Sequence, residues 1–262
     1  MKLKTLFTMK YSWAFRYCLK RLFIDIKYYL DFRKFIEVEV DGLKVKMTFA
    51  HPNHHYFVIR SKNKKYYEYN LFSIWKKHLP QTATDIIDFG GYNGFYGLLA
   101  AKACPASRIY IFEPDIVNYE HIKKNIIIND LRNVTVIKAI VTDKIRSVFF
   151  SELRGRETGR ISDDSDFKID CWILDEWLEK NNINPTLIKM DIEGAEYLAF
   201  SGMKDYLKTA KNINILLELH SDLIKKFGNT KENVLKLLSE LGFKCEFLNK
   251  NHYGCEYYWV SK

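Results

Sequence analysis

The 262-residue chain is poor in the residues that mark fibrous, disordered or cross-linked proteins. It has 5 Pro and 12 Gly, too few for a collagen or a low-complexity chain, and its 47% hydrophobic content is enough for a core. Five cysteines (Cys18, Cys104, Cys171, Cys245 and Cys255) are scattered, odd in number and free of any CxxC pair. That excludes a disulfide scaffold and predicts reduced thiols in a cytosolic protein. No apolar run approaches the roughly 18 residues of a membrane-spanning helix. The basic start and TLFTM meet Lys10 before a signal-like apolar region forms, so a secretory leader is not expected. The length suits one large domain, with or without a small appendage, that needs no disulfide or metal to fold.

Charge is unevenly spread. Residues 1–36 hold nine Lys/Arg against Asp25 and Asp31, a net +7 out of +9 for the whole chain. A nearly neutral body with a basic front end does not suit a protein that meets nucleic acid along its whole surface. Within residues 9–36, Phe15, Leu19, Leu22, Phe23, Ile26, Tyr29 and Leu30 recur at helical spacing among basic residues. The segment is expected either to dock on its own domain or to lie on an anionic membrane surface or a partner.

Residues 37–84 read as a small strand-rich subdomain: a VEV/LKVKMTF hairpin around Asp41-Gly42, strands at YFVIR and YYEY, then a linking helix near LFSIWKKHL that Pro80 closes. His51, His54 and His55 of HPNHH lack a fourth ligand at zinc spacing and are expected in an exposed loop. From residue 85 to 262, strands and helices alternate. Strands are predicted at DIIDF (85–89), RIYIF (108–112), VTVIKAIV (134–141), LIKMDI (187–192) and INILLEL (213–219). Helices are predicted at 96–103, 116–129, 197–209 and 222–241. Apolar strands with helical crossovers argue for an α/β fold with a parallel sheet covered on both faces. A polar RGRETGRISDDSD loop interrupts the series at an insertion, and FKCEFL and EYYWVSK predict an antiparallel edge.

The chemistry concentrates at strand ends. After the first of these strands comes Asp88-Phe-Gly90-Gly91-Tyr92-Asn-Gly94 and a helix, a turn that lets a ligand approach backbone N–H groups. Tyr92 occupies the place of the second glycine of a dinucleotide fingerprint, and no Gly-Lys-Ser/Thr follows, so neither phosphate-binding loop is present. An acid before the first glycine repels phosphates and suits a cationic ligand such as S-adenosylmethionine, which carries a sulfonium and no phosphate. Glu113 ends the next strand, where an acid suits ribose hydroxyls. In IKMDIEGAE, Asp191 and Glu193 point the same way if the strand persists, and Glu218 and His220 share a face at the neighbouring strand end. Such a cluster can supply a general base. Glu193 and Glu196 can alternatively cap the following helix.

DFGGYNGFYG, IFEPD with NIIIND, RNVTVIKAIVTD, LIKMDIEGAE and LLELH together resemble the FkbM family of S-adenosylmethionine-dependent methyltransferases, over about residues 85–220. The resemblance implies the class I methyltransferase (Rossmann-like) fold and O-methylation of a sugar, glycan, small or lipid-linked acceptor. It assigns Asp88, Gly90, Gly91, Tyr92 and Gly94 to the first cofactor loop, Glu113 to the ribose and Asp143 to the adenine. Asp191 and Glu193 match the fourth-strand motif. Gly91 and Tyr92 stand where the family usually has Ala and Asn, so an amide side chain is lost.

Asp191, Glu193 and His220 are the candidates for the base. The Asp191/Glu193 pair could hold a divalent metal, but with no third oxygen ligand identified no metal is expected. The expected location is cytoplasmic, with peripheral contact at the inner membrane face through residues 1–36. Two alternatives stand beside this reading: an RNA methyltransferase using the basic segment, for which no recognised RNA-binding module is present, and a non-catalytic methyltransferase-like module, which would have no use for acids at successive strand ends.

Overall fold

The computed structural model describes residues 18–65, 68–144, 146–151, 160–161, 168–251 and 254–262. Residues 18–29 form helix α1. Strands β1 (Ile36–Val40) and β2 (Leu43–Met47) pair in full antiparallel register. Asp41 and Gly42 both have positive φ, 46° and 84°, as a two-residue hairpin turn matched to strand twist requires. Helices α2 (Pro52–Lys62) and α3 (Tyr69–Lys77) follow.

The second part alternates as expected. It runs β3 (Asp85–Phe89), α4 (Phe95–Ala103), β4 (Arg108–Phe112), α5 (Ile116–Ile128), β5 (Val134–Ile137), β6 (Ile140–Thr142), β7 (Arg146–Ser151), β8 (Arg160–Ile161) and β9 (Lys168–Ile173). Then come α6 (Leu174–Asn181), β10 (Pro185–Met190), α7 (Glu196–Gly202), α8 (Lys204–Thr209), β11 (Asn214–Leu219), α9 (Ser221–Ile224), α10 (Lys231–Glu240), β12 (Lys244–Lys250) and β13 (Glu256–Ser261). The main sheet has seven strands in the order β12-β13-β11-β10-β3-β4-β5, and only β13 runs against the rest. Strands β6, β9, β7 and β8 form a second sheet beside it.

Burial explains the layers. Each central strand is apolar on both faces. Ile86 packs with Leu98, Leu99, Ile109 and Ile111 on one side, while Ile87 packs with Ile188, Ile215 and Phe200 on the other. Val38, Met47, Phe72 and Trp75 belong to the first of these clusters, so residues 36–79 form the outer layer over α4. The order reverses between β3 and β10, which opens a crevice at the carboxyl ends of those strands.

Several expectations are corrected. YFVIR lies inside α2: Pro52 opens that helix and the His51 side chain accepts the His54 N–H, a start signal that outweighs the β-branched and aromatic composition. YYEY is not a strand where described, since Tyr69 begins α3; residues 66–67 lie outside the described residues. Residues 37–84 thus hold one hairpin and two helices. Helix α1 stops at residue 29 and Ile36 already belongs to β1, while residues 1–17 lie outside the described residues. VTVIKAIV splits into β5 and β6, which belong to different sheets. The helices predicted at 197–209 and 222–241 are each broken, into α7–α8 and α9–α10. Most of the polar loop 154–166 lies outside the described residues.

Candidate active site

Loop 90–94 leaves β3 by a sharp path. Gly90 and Gly91 N–H groups both donate to the Phe112 carbonyl at 3.0 Å, tying the loop to β4. The missing side chains are taken up by protein atoms. A Cβ on Gly90 (φ 79°) would lie 1.8 Å from the Asp191 carbonyl oxygen, and one on Gly91 would lie 2.3 Å from Ile111. Tyr92 also has positive φ, 52°, a conformation that suits the family's Asn better than Tyr. Its ring packs edge-on against His54 at 4.6 Å. The three histidines are not in an exposed loop: His54 and His55 are buried within α2, and the His54 ring stacks on His121. Burial holds the pKa of His54 well below the ordinary histidine range and brings His121 to about 4, so both are neutral.

Glu113 follows β4 beneath that loop. One oxygen accepts the Tyr92 N–H at 2.7 Å and the other the Asp115 N–H at 2.9 Å. Burial raises its carboxyl to about 8, against the pull of those two bonds. The Asn118 side chain bonds to it as well, so the acceptor sites left over are those that the vicinal hydroxyls of a ribose would use. Asp88 is fully buried, accepts the Gly97 N–H at 3.0 Å and lies 3.8 Å from Lys189. Burial raises it to about 6, with Lys189 pulling the other way. Asp143 follows β6, is half-buried and accepts the Thr142 hydroxyl at 3.1 Å.

The other wall is built on β10 and β11. The strand does not persist through Glu193: β10 ends at Met190, Glu193 has φ 55° and Gly194 φ 101°. Even so, the turn brings Asp191 and Glu193 to the same imidazole, each 3.7 Å from His220 Nε2, with Glu218 at 3.6 Å. His220 Nδ1–H donates to Glu196 at 2.9 Å, and that same Glu196 oxygen accepts the Gly194 N–H. Glu196, the first residue of α7, thus ties down the turn before the helix instead of capping it, and braces the histidine. Burial opposes a charge on His220, but bonds to Cys255 and Glu196 and the charges of Asp191 and Glu193 raise its pKa well above the ordinary value. It is therefore an imidazolium at neutral pH, a proton holder rather than a resting base. Glu218 is pushed well above the ordinary range by burial and by Asp191, and accepts the Tyr257 hydroxyl.

Lys189, which the sequence reading passed over, sits at the centre. Its ammonium donates to Asp191 at 2.9 Å and to the Gly90 carbonyl at 3.1 Å, under the Tyr96 ring. Burial works against its charge, but Asp191 and Asp88 keep it protonated. The i, i+2, i+4 spacing of Lys189, Asp191 and Glu193 was the available signal.

A model of the FkbM methyltransferase domain matches residues 88–245, more than half of the chain. The chain belongs to the FkbM methyltransferase family. S-adenosylmethionine is accordingly its methyl donor, and the residues present fit it: the Glu113 carboxyl placed for a ribose, the buried Asp88 on β3, and a loop after β3 pinned between β4 and the turn after β10. Solved structures with similar folds include a precorrin-6y C5,15-methyltransferase from Geobacter metallireducens (13% identity, 74% of this chain and 87% of that one, TM-score 0.46). An rRNA methylase from Streptococcus thermophilus has 12% identity over 74% and 94% of the two chains, with a TM-score of 0.45. TYW2 of M. jannaschii in complex with AdoMet has 11% identity over 88% and 86%, with a TM-score of 0.43. No curated protein matches the sequence.

Asp191, Glu193 and His220 bring ligand atoms within 4.8 Å of one another, as do Glu218, His220 and Cys255. Treating the enzyme with a chelator and then restoring magnesium or zinc tests both groups, and turnover is expected to change by less than about twofold. Loss of activity on chelation, restored by a divalent ion, would show instead that a metal replaces the His220 proton.

Proposed function

We propose that the enzyme methylates a hydroxyl group on a sugar, a glycan or a lipid-linked metabolite. The observation that supports this reading is the half-exposed Glu193 carboxylate held 3.7 Å from the His220 imidazolium, at the strand ends facing the cofactor loop. An alcohol acceptor has a proton to lose as its oxygen is alkylated, and needs a group placed to receive it.

The donor supplies a methyl group made electrophilic by its sulfonium. Glu113 holds the ribose. Lys189 locks Asp191 against the loop and spends that carboxylate's charge, which leaves Glu193 to take the hydroxyl proton. His220, anchored from behind by Glu196, offsets the charge on Glu193 and fixes its direction. Alignment of acceptor and donor supplies much of the remaining rate.

Glu193→Gln is expected to lower kcat by about 10²–10⁴-fold while leaving the affinity for S-adenosylmethionine within about threefold. Stopped-time transfer assays beside calorimetric titration separate the two quantities. The acceptor class is tested by feeding methyl-labelled donor with an extract of glycans and lipid-linked sugars. Label in a base-stable ether supports the reading, and label confined to amines or RNA overturns it.

A further inference from the structure

Helix α1 is amphipathic the wrong way round for a helix that serves its own core. Arg21 donates to Asn53 Oδ1 at 2.6 Å, the Tyr28 hydroxyl donates to the Ala50 carbonyl at 3.2 Å, and Asp31 just beyond pairs with His55 at 2.8 Å. The half-buried face of α1 is Arg21, Ile24, Asp25 and Tyr28, three of them polar, and these contacts dock it on α2 and the residues just before it. The opposite stripe, Leu19, Leu22, Phe23, Ile26, Tyr29 and Leu30, faces outward, with Phe23 57% and Leu30 67% exposed; Phe32 follows at 89%. A helix that merely covers its own domain turns such a stripe inward. Eight of the eleven exposed large hydrophobics among the described residues lie between positions 19 and 35.

The flanking charge identifies the occupant. Asp25 and Asp31 are taken up by Arg21 and Arg33, so Lys20, Lys27 and Lys34 give residues 18–36 a net +3. Lys27 lies over the Phe23 ring, along the edge of the apolar stripe. An apolar face edged by lysines and carrying Phe and Tyr fits the interface of an anionic bilayer, where the rings sit at headgroup depth and the lysines meet lipid phosphates. A second copy of this chain would bring +3 against +3 across the dyad, and RNA would leave the apolar stripe in water.

We infer that α1 is a membrane-surface anchor that lies flat on anionic lipid, with its docked face as the hinge to the catalytic body. The anchor is close to the chemistry: α2, on which it rests, carries His54, whose ring packs against Tyr92 of the cofactor loop. This inference does not depend on which hydroxyl is methylated.

The test is flotation of the full chain with phosphatidylcholine vesicles with and without about one-third phosphatidylglycerol, beside Phe23→Glu/Leu30→Glu and Lys20→Glu/Lys27→Glu/Lys34→Glu variants. Donor affinity and light scattering are measured on each to confirm folding and oligomeric state. The parent is expected to float with anionic vesicles only. Each variant is expected to lose at least about tenfold in partitioning, since each lysine near such a surface is worth a factor of about five. Donor affinity stays unchanged. The inference is overturned if the folded parent stays with the free protein, if it floats equally well with neutral vesicles, if it forms a dimer that Phe23→Glu/Leu30→Glu dissociates, or if it is retained by RNA instead.

Discussion

Lys189→Met is expected to lower the melting temperature by about 10 °C, because it strands the buried Asp88 and the partly buried Asp191 at once. In the parent, one ammonium lies 2.9 Å from Asp191 and 3.8 Å from Asp88 and also satisfies the Gly90 carbonyl. Removing one partner of a buried ion pair typically costs about 3–5 kcal/mol, and each kcal/mol is worth about 2–4 °C in a chain of this size. The deficit depends on pH in a definite direction. Without Lys189, burial raises both carboxyl pKa values in the folded state above their unfolded values. The folded variant then holds protons that the unfolded chain releases, and stability is lost as pH rises. Calorimetric scans at pH 5 and pH 8 should show the gap to the parent widening at the higher pH. An equal gap at both would mean that Lys189 acts by packing alone.

Affinity for S-adenosylmethionine is expected to rise with pH, by up to about tenfold per unit, and to level off near pH 8. The cause is Glu113, which burial holds at about 8 in the free enzyme. Ribose hydroxyls donate to the ionised carboxylate, so below that pKa binding must expel a proton, and above it none is lost. Titrations in buffers of different ionisation enthalpy would read the released proton directly. Glu113→Gln should flatten the slope and weaken binding by about 100-fold at pH 8, the worth of two charge-assisted hydrogen bonds. A slope that survives the substitution would move its origin elsewhere, with Asp88, at about 6, the next group to examine. The same shift acts on the free enzyme: with its folded pKa raised above 4.5, Glu113 costs stability increasingly as pH climbs toward 8.

Strands such as DIIDF and RIYIF were legible because β-branched runs bounded by polar residues and glycines have few other ways to bury both faces. The paired acids at strand ends were legible for a related reason: a carboxylate at the end of an apolar run is costly unless the site needs it. What escaped notice came from tertiary contacts. His55 lies inside a helix of the outer layer because Asp31, 24 residues away, pairs with it, and YFVIR is helical because His51 and Pro52 start the turn before it. Glu196 read from sequence as a helix cap, since its partner, His220, is 24 residues off. His220 was a plausible base by type. Asp191 and Glu193 in the turn after β10, with bonds to Glu196 and Cys255, favour its protonated form instead.

Strand β13 is the last in chain order yet lies inside the sheet, hydrogen-bonded to β11 on one side and β12 on the other. While the chain is still being synthesised, β11 therefore waits with an apolar, unpaired edge, and β12 has no neighbour to join. The parallel strands β5, β4, β3, β10 and β11 can pair in order, but the β11 edge stays open until β13 is made, and only then can β12 join the sheet.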